Sequence, residues 1–389
     1  MILPAGFRYA AAYAGIRKVA KDDLALIVSD TPASAAAVFT QNRVVAAPVE
    51  LARKNLRESR GRVRACLVNA GNANCATRTG DRVALESVRI AAKTLGVEEQ
   101  QVLPASTGVI GVEMNGRLVV DAMPELVAAL RPDSFDAVAA AIMTTDTRPK
   151  TAFAQIRKAS ATARLAGMAK GSGMIHPRMA TTLGFLVTDA VVSPAELRAA
   201  LKKAVAVSFN RLSVDGDTST NDMVAVLANG ASGVQPAARA LEAGLTEVLE
   251  SLARQIARDG EGARKLVTIE VEGAATERDA ETIARAIANS PLVKTAIAGS
   301  DPNWGRVLAA AGYSGVRFDP RRTDIFMQGI AVCRSGLAAD FSEAELTRKL
   351  DESECLVRFA IRGGGKGRAR FWTCDLTEEY IRINASYRT

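Results

Sequence analysis

Apolar residues along this chain alternate between short β-rich runs and longer stretches with helical i, i+3, i+4 spacing, which predicts a mixed α/β fold. Strands are expected at residues 24–28 and 37–40, on either side of a Ser-Asp-Thr-Pro turn, and at 63–68. Residues 81–95 form an amphipathic helical pattern that Gly96 can stop. Helices follow at 121–130 and 134–143, then a polar loop at 144–150, and alternation over 152–169 predicts a hairpin. The second half reads as a strand at 183–187, a helix at 194–207, a strand at 223–227 and a long helix ending near Asp259. A strand at 265–271, helices at 278–288 and 304–311, and short strands ending at 370–375 complete the pattern. With no internal repeat and no low-complexity linker, the two halves are expected to share one packed body.

The stretch 170–189 stands out because a glycine-rich turn, a proline and a small residue lead directly into two threonines, Thr181 and Thr182, that open an apolar run. A hydroxyl at the head of a buried strand is rigidly held, although Thr-Thr there is also an ordinary β-branched strand start. The loop Asn69-Ala-Gly-Asn-Ala-Asn74 is either a tight turn or the lining of a pocket. Asp215-x-Asp217-x-Ser219 is no calcium loop, since Thr220 stands where glycine is needed and Val226 where a bidentate Glu is needed. Gly171-Ser-Gly173 lacks the third glycine of a dinucleotide fingerprint, and Lys366 is followed by Gly, which removes a P-loop.

Composition narrows the chemistry. The 389 residues are 48% hydrophobic but only 5% aromatic, as in a body packed from Ala, Val and Leu. No apolar run approaches the roughly 18 residues of a membrane span, and residues 1–15 lack a signal-peptide layout, so a cytoplasmic protein is expected. The five cysteines are widely spaced with no Cys-x-x-Cys pair, and are read as small buried hydrophobes rather than as disulfides or zinc ligands. A single histidine, His176, is read as a solvated loop residue; Ser-His-Asp catalysis and multi-imidazole metal sites have little to draw on. The net charge of +8 is scattered, and its densest group, Arg362 to Arg370, reads as a solvated hairpin loop. An uncut, basic nucleic-acid-binding protein remains the alternative from another class.

Lys170-Gly-Ser-Gly-Met-Ile-His-Pro-Arg-Met-Ala-Thr181 resembles the self-cleavage signature of the ornithine acetyltransferase (glutamate N-acetyltransferase) family of arginine biosynthesis. Ser106-Thr-Gly-Val-Ile-Gly111, Ile142-Met-Thr-Thr-Asp-Thr147, Asn289-Ser-Pro-Leu-Val-Lys-Thr-Ala296, Asp301-Pro-Asn-Trp-Gly-Arg306 and Cys374-Asp-Leu-Thr-Glu-Glu-Tyr380 extend the resemblance in family order. His176 and Thr182 depart from the small or apolar residues of the family pattern, and Thr182 adds a second hydroxyl at the cut.

The resemblance implies that the Ala180–Thr181 bond is cut by the chain itself, leaving Thr181 as an N-terminal nucleophile whose own amine is the base. It implies a ping-pong transfer of acetyl from N-acetylornithine to glutamate, with the Thr107 hydroxyl and Gly108 N–H stabilising the oxyanion. Thr147, Lys170, Thr181, Glu261, Asn384 and Thr389 are the implied substrate-binding residues, with Lys170 assigned to a carboxylate and Glu261 to an ammonium. No metal or cofactor is implied. The expected architecture is a layered αββα sandwich in which fragments 1–180 and 181–389 intertwine, assembled as a heterotetramer of two of each. Whether acetyl-CoA also serves as donor stays open, and a related self-cleaving aminopeptidase or amidase is the nearest alternative.

Overall fold

The computed structural model describes residues 2–176 and 182–386. In the first half, β1 (Phe7–Ala12), β2 (Leu24–Phe39), α1 (Ala47–Glu58), β3 (Arg62–Asn69), α2 (Gly80–Leu95), β4 (Val102–Ser106), α3 (Arg117–Ala128), α4 (Phe135–Ala141), β5 (Lys150–Lys158) and β6 (Ala161–Lys170) follow one another. Then come β7 (Leu183–Thr188), α5 (Pro194–Val207), β8 (Met223–Ala228) and α6 (Ala238–Arg258). The last third holds β9 (Leu266–Ala274), α7 (Glu277–Ala288), α8 (Pro291–Ala298), α9 (Trp304–Gly312), β10 (Thr323–Met327), β11 (Ile330–Arg334), β12 (Leu337–Ala338), α10 (Glu343–Leu350), β13 (Glu354–Ile361), β14 (Gly367–Cys374) and α11 (Glu378–Ser386). Local signals set many of these bounds. Gly96 ends α2 in the left-handed region at φ 67°, and a Ser193/Glu196 capping box with Pro194 in the first turn starts α5.

Eight strands form one sheet in the order β4-β3-β2-β8-β7-β6-β5, with β1 on β2, and six form a second in the order β12-β11-β10-β13-β9-β14. The two short strands expected at 24–28 and 37–40 are one long strand. β2 pairs with β3 through Val28, shifts register before Ala33, and then pairs with β8 as far as Phe39. Here the tertiary pairing overrides the Asp-Thr-Pro turn signal.

This shift folds the sheet onto itself. Side chains of β2, β3 and β4 (Ile27, Cys66, Leu103) share one core with those of β6, β7 and β8 (Met168, Phe185, Ala225). The opposite face of the first half packs on α2 and α3 through Leu26, Leu67, Val88 and Met123. That of the second half packs on α5 and α6 through Leu186, Val226, Leu201 and Leu249. The layers are helix, sheet, sheet, helix, the αββα sandwich expected from the resemblance.

The six-stranded sheet buries one face against α7, α9 and α10. It joins the sandwich through Leu266, Trp372 and Cys374, which enter the core under α6. Its loop at Arg362 is not a hairpin turn, because β13 and β14 lie on opposite sides of β9. The link crosses the end of β9 backbone against backbone, where a side chain would collide with residues 273–276. Several elements escaped the sequence pattern, among them β1, α1, α10 and α11, and α8, whose eight residues are too short for a clear helical period although Ser290 caps it. All five cysteines are buried and unpaired. Among the described residues no helix is long and apolar enough to cross a membrane.

Candidate active site

The C-terminal ends of β4 and β6 and the N-terminal ends of β7 and β8 meet at one end of the sandwich. A pocket of about 120 Å³ opens there, and Thr107, Gly108, Lys170, Asp215, Glu261 and Asn384 are in its wall. Five of these six residues were assigned from sequence; they come from four distant parts of the chain.

Thr107 and Gly108 leave β4 over the Asn69–Asn74 loop. The Thr107 N–H donates to the Asn69 carbonyl at 2.8 Å. Gly108 has φ 130°, and a Cβ on it would lie 2.8 Å from the backbone of Gly71 and Asn72, so only glycine lets the loop sit this close. The asparagines do not line the pocket; they brace it from behind. Asn69 accepts from the Gly71 N–H at 2.9 Å and donates to the Asn72 carbonyl at 2.8 Å. Asn221, at the head of β8, donates to the Ala73 carbonyl at 2.7 Å and the Ser106 carbonyl at 2.9 Å. The loop stays out of this pocket's wall, while Asn69 and Asn74 line a separate small cavity behind it.

The segment leaving β6 is held by two carboxylates. Asp146 accepts the Gly171 N–H at 2.7 Å, and Asp215 accepts the N–H groups of Met174 at 2.6 Å and Ile175 at 2.9 Å. Met174 is held in the left-handed region at φ 55°, a conformation that costs energy for a side-chain-bearing residue and persists because its own N–H and that of Ile175 are tied to Asp215. Gly173 lies under the Glu261 carboxylate, which a Cβ would strike. Glu261 in turn accepts from the Asn384 side-chain amide at 2.8 Å. Ala180 and Thr181, the expected cleavage pair, and Thr389 lie outside the described residues. The description resumes at Thr182, whose carbonyl accepts the Met223 N–H at 3.1 Å.

Charge is concentrated under this pocket. Lys150, 1% exposed, bridges Asp146 at 2.6 Å and Asp259 at 2.5 Å. Burial alone would raise the Asp146 carboxyl, but the charges of Lys150 and Lys170 and the hydrogen bonds of Lys150 and Gly171 hold it below its ordinary range. Burial pushes the Lys170 ammonium down, against the opposing pull of Asp146 and Asp222. Asp222 is pushed well above the usual carboxylate range by burial, which Lys170 offsets only in part. Asp215 is raised by burial too, and burial with the nearby Asp215 and Glu261 charges raises Tyr380. Thr147 is not in the pocket wall. Its N–H donates to Asp259 at 3.0 Å and its hydroxyl bonds the same carboxylate, one layer behind. Among the described residues no group of three or more His, Cys, Asp or Glu side chains is placed to hold a metal ion.

Sequence reasoning gave Asp146, Asp215 and Asp222 no role. Their signal was a polar run feeding a buried strand, which reads equally well as a solvated loop. Chemically, a hydroxyl and a backbone N–H at Thr107 and Gly108, beside the Lys170 ammonium and the carboxylates of Asp215, Asp217 and Glu261, suit an acyl-transfer centre that binds an amino acid by its own carboxylate and ammonium.

The sequence profile of the ArgJ family matches residues 8–389. The arginine biosynthesis bifunctional protein ArgJ of Thermus thermophilus is 50% identical over 391 residues, covering 100% of this chain and 99% of that one. Its counterpart in Symbiobacterium thermophilum is 49% identical over 395 residues, covering 99% and 98%. Among solved structures, the ornithine acetyltransferase of Mycobacterium tuberculosis in complex with ornithine is 31% identical, with a TM-score of 0.39, covering 45% of this chain and 92% of that one.

Proposed function

The chain belongs to the ArgJ family, and we propose on that basis, together with the chemistry of its pocket, that it moves acetyl from N-acetylornithine to glutamate through an acetyl-threonine at Thr181. The observation that carries this reading is the convergence of Thr107, Gly108, Lys170, Glu261 and Asn384 on one pocket. Lys170 faces Leu183 in the β6–β7 register, and Leu183 is two residues along the chain from Thr181.

The chain first cuts itself. Attack of the Thr181 hydroxyl on the Ala180 carbonyl forms an ester as the bond from that carbon to the Thr181 nitrogen breaks and frees the α-amine; water then hydrolyses the ester, releasing the Ala180 carboxylate and the Thr181 hydroxyl. An α-amine has an ordinary pKa of about 7.7 to 8.0, so near neutrality enough is unprotonated to take the hydroxyl proton. Strand order explains why fragments 1–180 and 181–389 stay together: β7 and β8 of the second lie between β2 and β6 of the first, so the cut leaves every strand pairing intact. Two cut chains make the two-plus-two heterotetramer, in the cytoplasm.

Transfer then proceeds in two halves. Lys170 pairs with the substrate carboxylate and Glu261, oriented by Asn384, with the ornithine ammonium. The Thr107 hydroxyl and Gly108 N–H take the charge of each tetrahedral intermediate. Ornithine leaves, and glutamate collects the acetyl group. Thr147 acts through Asp259, which it shares with Lys150, and Thr389 keeps the substrate-binding role that the resemblance implies. Acetyl-CoA serves as a second donor to the same hydroxyl, which needs only an acetyl carbonyl within reach.

A denaturing gel with N-terminal sequencing, run on wild type and Thr181→Ala, tests the reading. A fragment beginning at Thr181 is expected in wild type only. An uncut wild type that is fully active, or acetyl released as free acetate whether or not glutamate is present, would overturn it.

A further inference from the structure

Asp222 has no part in the transfer reaction, yet it sits against Thr182, the first described residue after the expected cut. It is 2% exposed and stands at the head of β8, directly before Met223, which pairs with Leu183 in the parallel β7–β8 register. Its carboxylate accepts the backbone N–H of Thr182, the residue after the nucleophile. Thr40, just past the end of β2, and Ser219 contact the same carboxyl, and Lys170 of β6 is the charged group facing it. Two buried oxygens here, Asp222 Oδ2 and Thr182 Oγ1, have no hydrogen-bond partner among the described residues. Buried polar atoms left this way are rare and call for an explanation.

We propose that Asp222 is the positioning residue of self-cleavage: by holding the Thr182 N–H it fixes the peptide unit that follows Thr181, so that the hydroxyl is presented to the Ala180 carbonyl. The inference rests on the reading that the chain cuts at Ala180–Thr181. In the step, a bond forms between Thr181 Oγ and the Ala180 carbonyl carbon and the bond from that carbon to the Thr181 nitrogen breaks. The hydroxyl proton ends on the freed amine. Asp222 neither gains nor loses a proton, and no redox partner is needed.

Burial disfavours the charged form of this carboxyl. The Thr40 hydroxyl also lies 2.7 Å from the Ser219 carbonyl and accepts the Asn42 N–H at 3.1 Å, which fixes that side chain beside Asp222. The Thr182 N–H needs only an acceptor oxygen, which asparagine supplies in the same shape.

Purified wild type, Asp222→Asn, Asp222→Ala and Asp222→Ser chains, with Thr181→Ala as the uncut control, are followed by denaturing gel and intact mass, with melting curves beside them. Asp222→Asn should cut within about twofold of wild type. Asp222→Ala and Asp222→Ser should melt as folded proteins but cut at least tenfold more slowly. Wild-type cutting by a folded truncation overturns the inference, as does slow cutting by folded Asp222→Asn. Truncations that fail to fold while Asp222→Asn cuts normally also overturn it, since the carboxyl then only holds the fold. An uncut wild type would instead overturn the reading on which the inference depends.

Discussion

The two sheets treat charge in opposite ways. In the six-stranded sheet the charged side chains stand on the open face as cross-strand pairs, Arg370 with Glu270 at 2.9 Å and Arg358 with Glu272 at 3.1 Å, all a third or more exposed or close to it. At the pocket end of the eight-stranded sheet they are inside, where Lys150 and Asp146 are 1% and 0% exposed and Lys150 also holds Asp259. Exposed pairs are worth little to stability, whereas a buried ion pays desolvation and survives only when fully paired. One sheet therefore needs its charges for solubility. The other keeps costly charges where a strained segment must be held for chemistry.

Removing the buried cation should have the largest effect. Lys150→Met leaves Asp146 and Asp259 buried without it and should lower unfolding free energy by about 3 to 5 kcal/mol in denaturant titrations. A loss under about 1 kcal/mol would erase the contrast between the sheets. Next is Thr107→Ala, expected to slow acetyl transfer by about 10² to 10³-fold, with the melting temperature unchanged, because a donor aimed at developing charge matters only in the transition state. Glu261→Gln should weaken transfer from N-acetylornithine by about tenfold, since a neutral amide replaces a charged acceptor for the ammonium. Unchanged transfer would remove Glu261 from that role.

Asp222 gives a pH test with a definite sign. Its folded pKa is raised above the unfolded value by burial. The stability it contributes is full below the unfolded value, about 3.9, and is lost as pH rises toward the folded one. Denaturant midpoints should show Asp222→Asn gaining on wild type from pH 4 upward, by at most about 1.4 kcal/mol per pH unit. The smallest effect belongs to the open face: Arg370→Ala should cost less than about 1 kcal/mol and weaken further in high salt.

Much of this was legible in the chain. The strand at 183–187, the helix at 194–207 and the Gly96 stop came from period and cap residues, which act over a turn or two. Thr107, Gly108, Lys170, Glu261 and Asn384 came from resemblance, and the pocket unites them; Thr147 alone of the described assignments stands behind it. The single bent β2, the crossing of β9 by the Arg362 link and the bracing role of Asn69 to Asn74 were not legible, because each depends on which distant strand lies alongside.

By itself, then, the sequence determined most of the helices and strands of the sandwich and the threonine pair that precedes β7. Both are written in neighbouring residues, through hydrophobic period, caps and turn chemistry. Only the tertiary structure decided that Lys150 would meet an aspartate 109 positions away, and that Asp222 would lie beside Thr182. Burying a charge is favourable or ruinous according to the partners the fold delivers to it, and no local pattern records those partners.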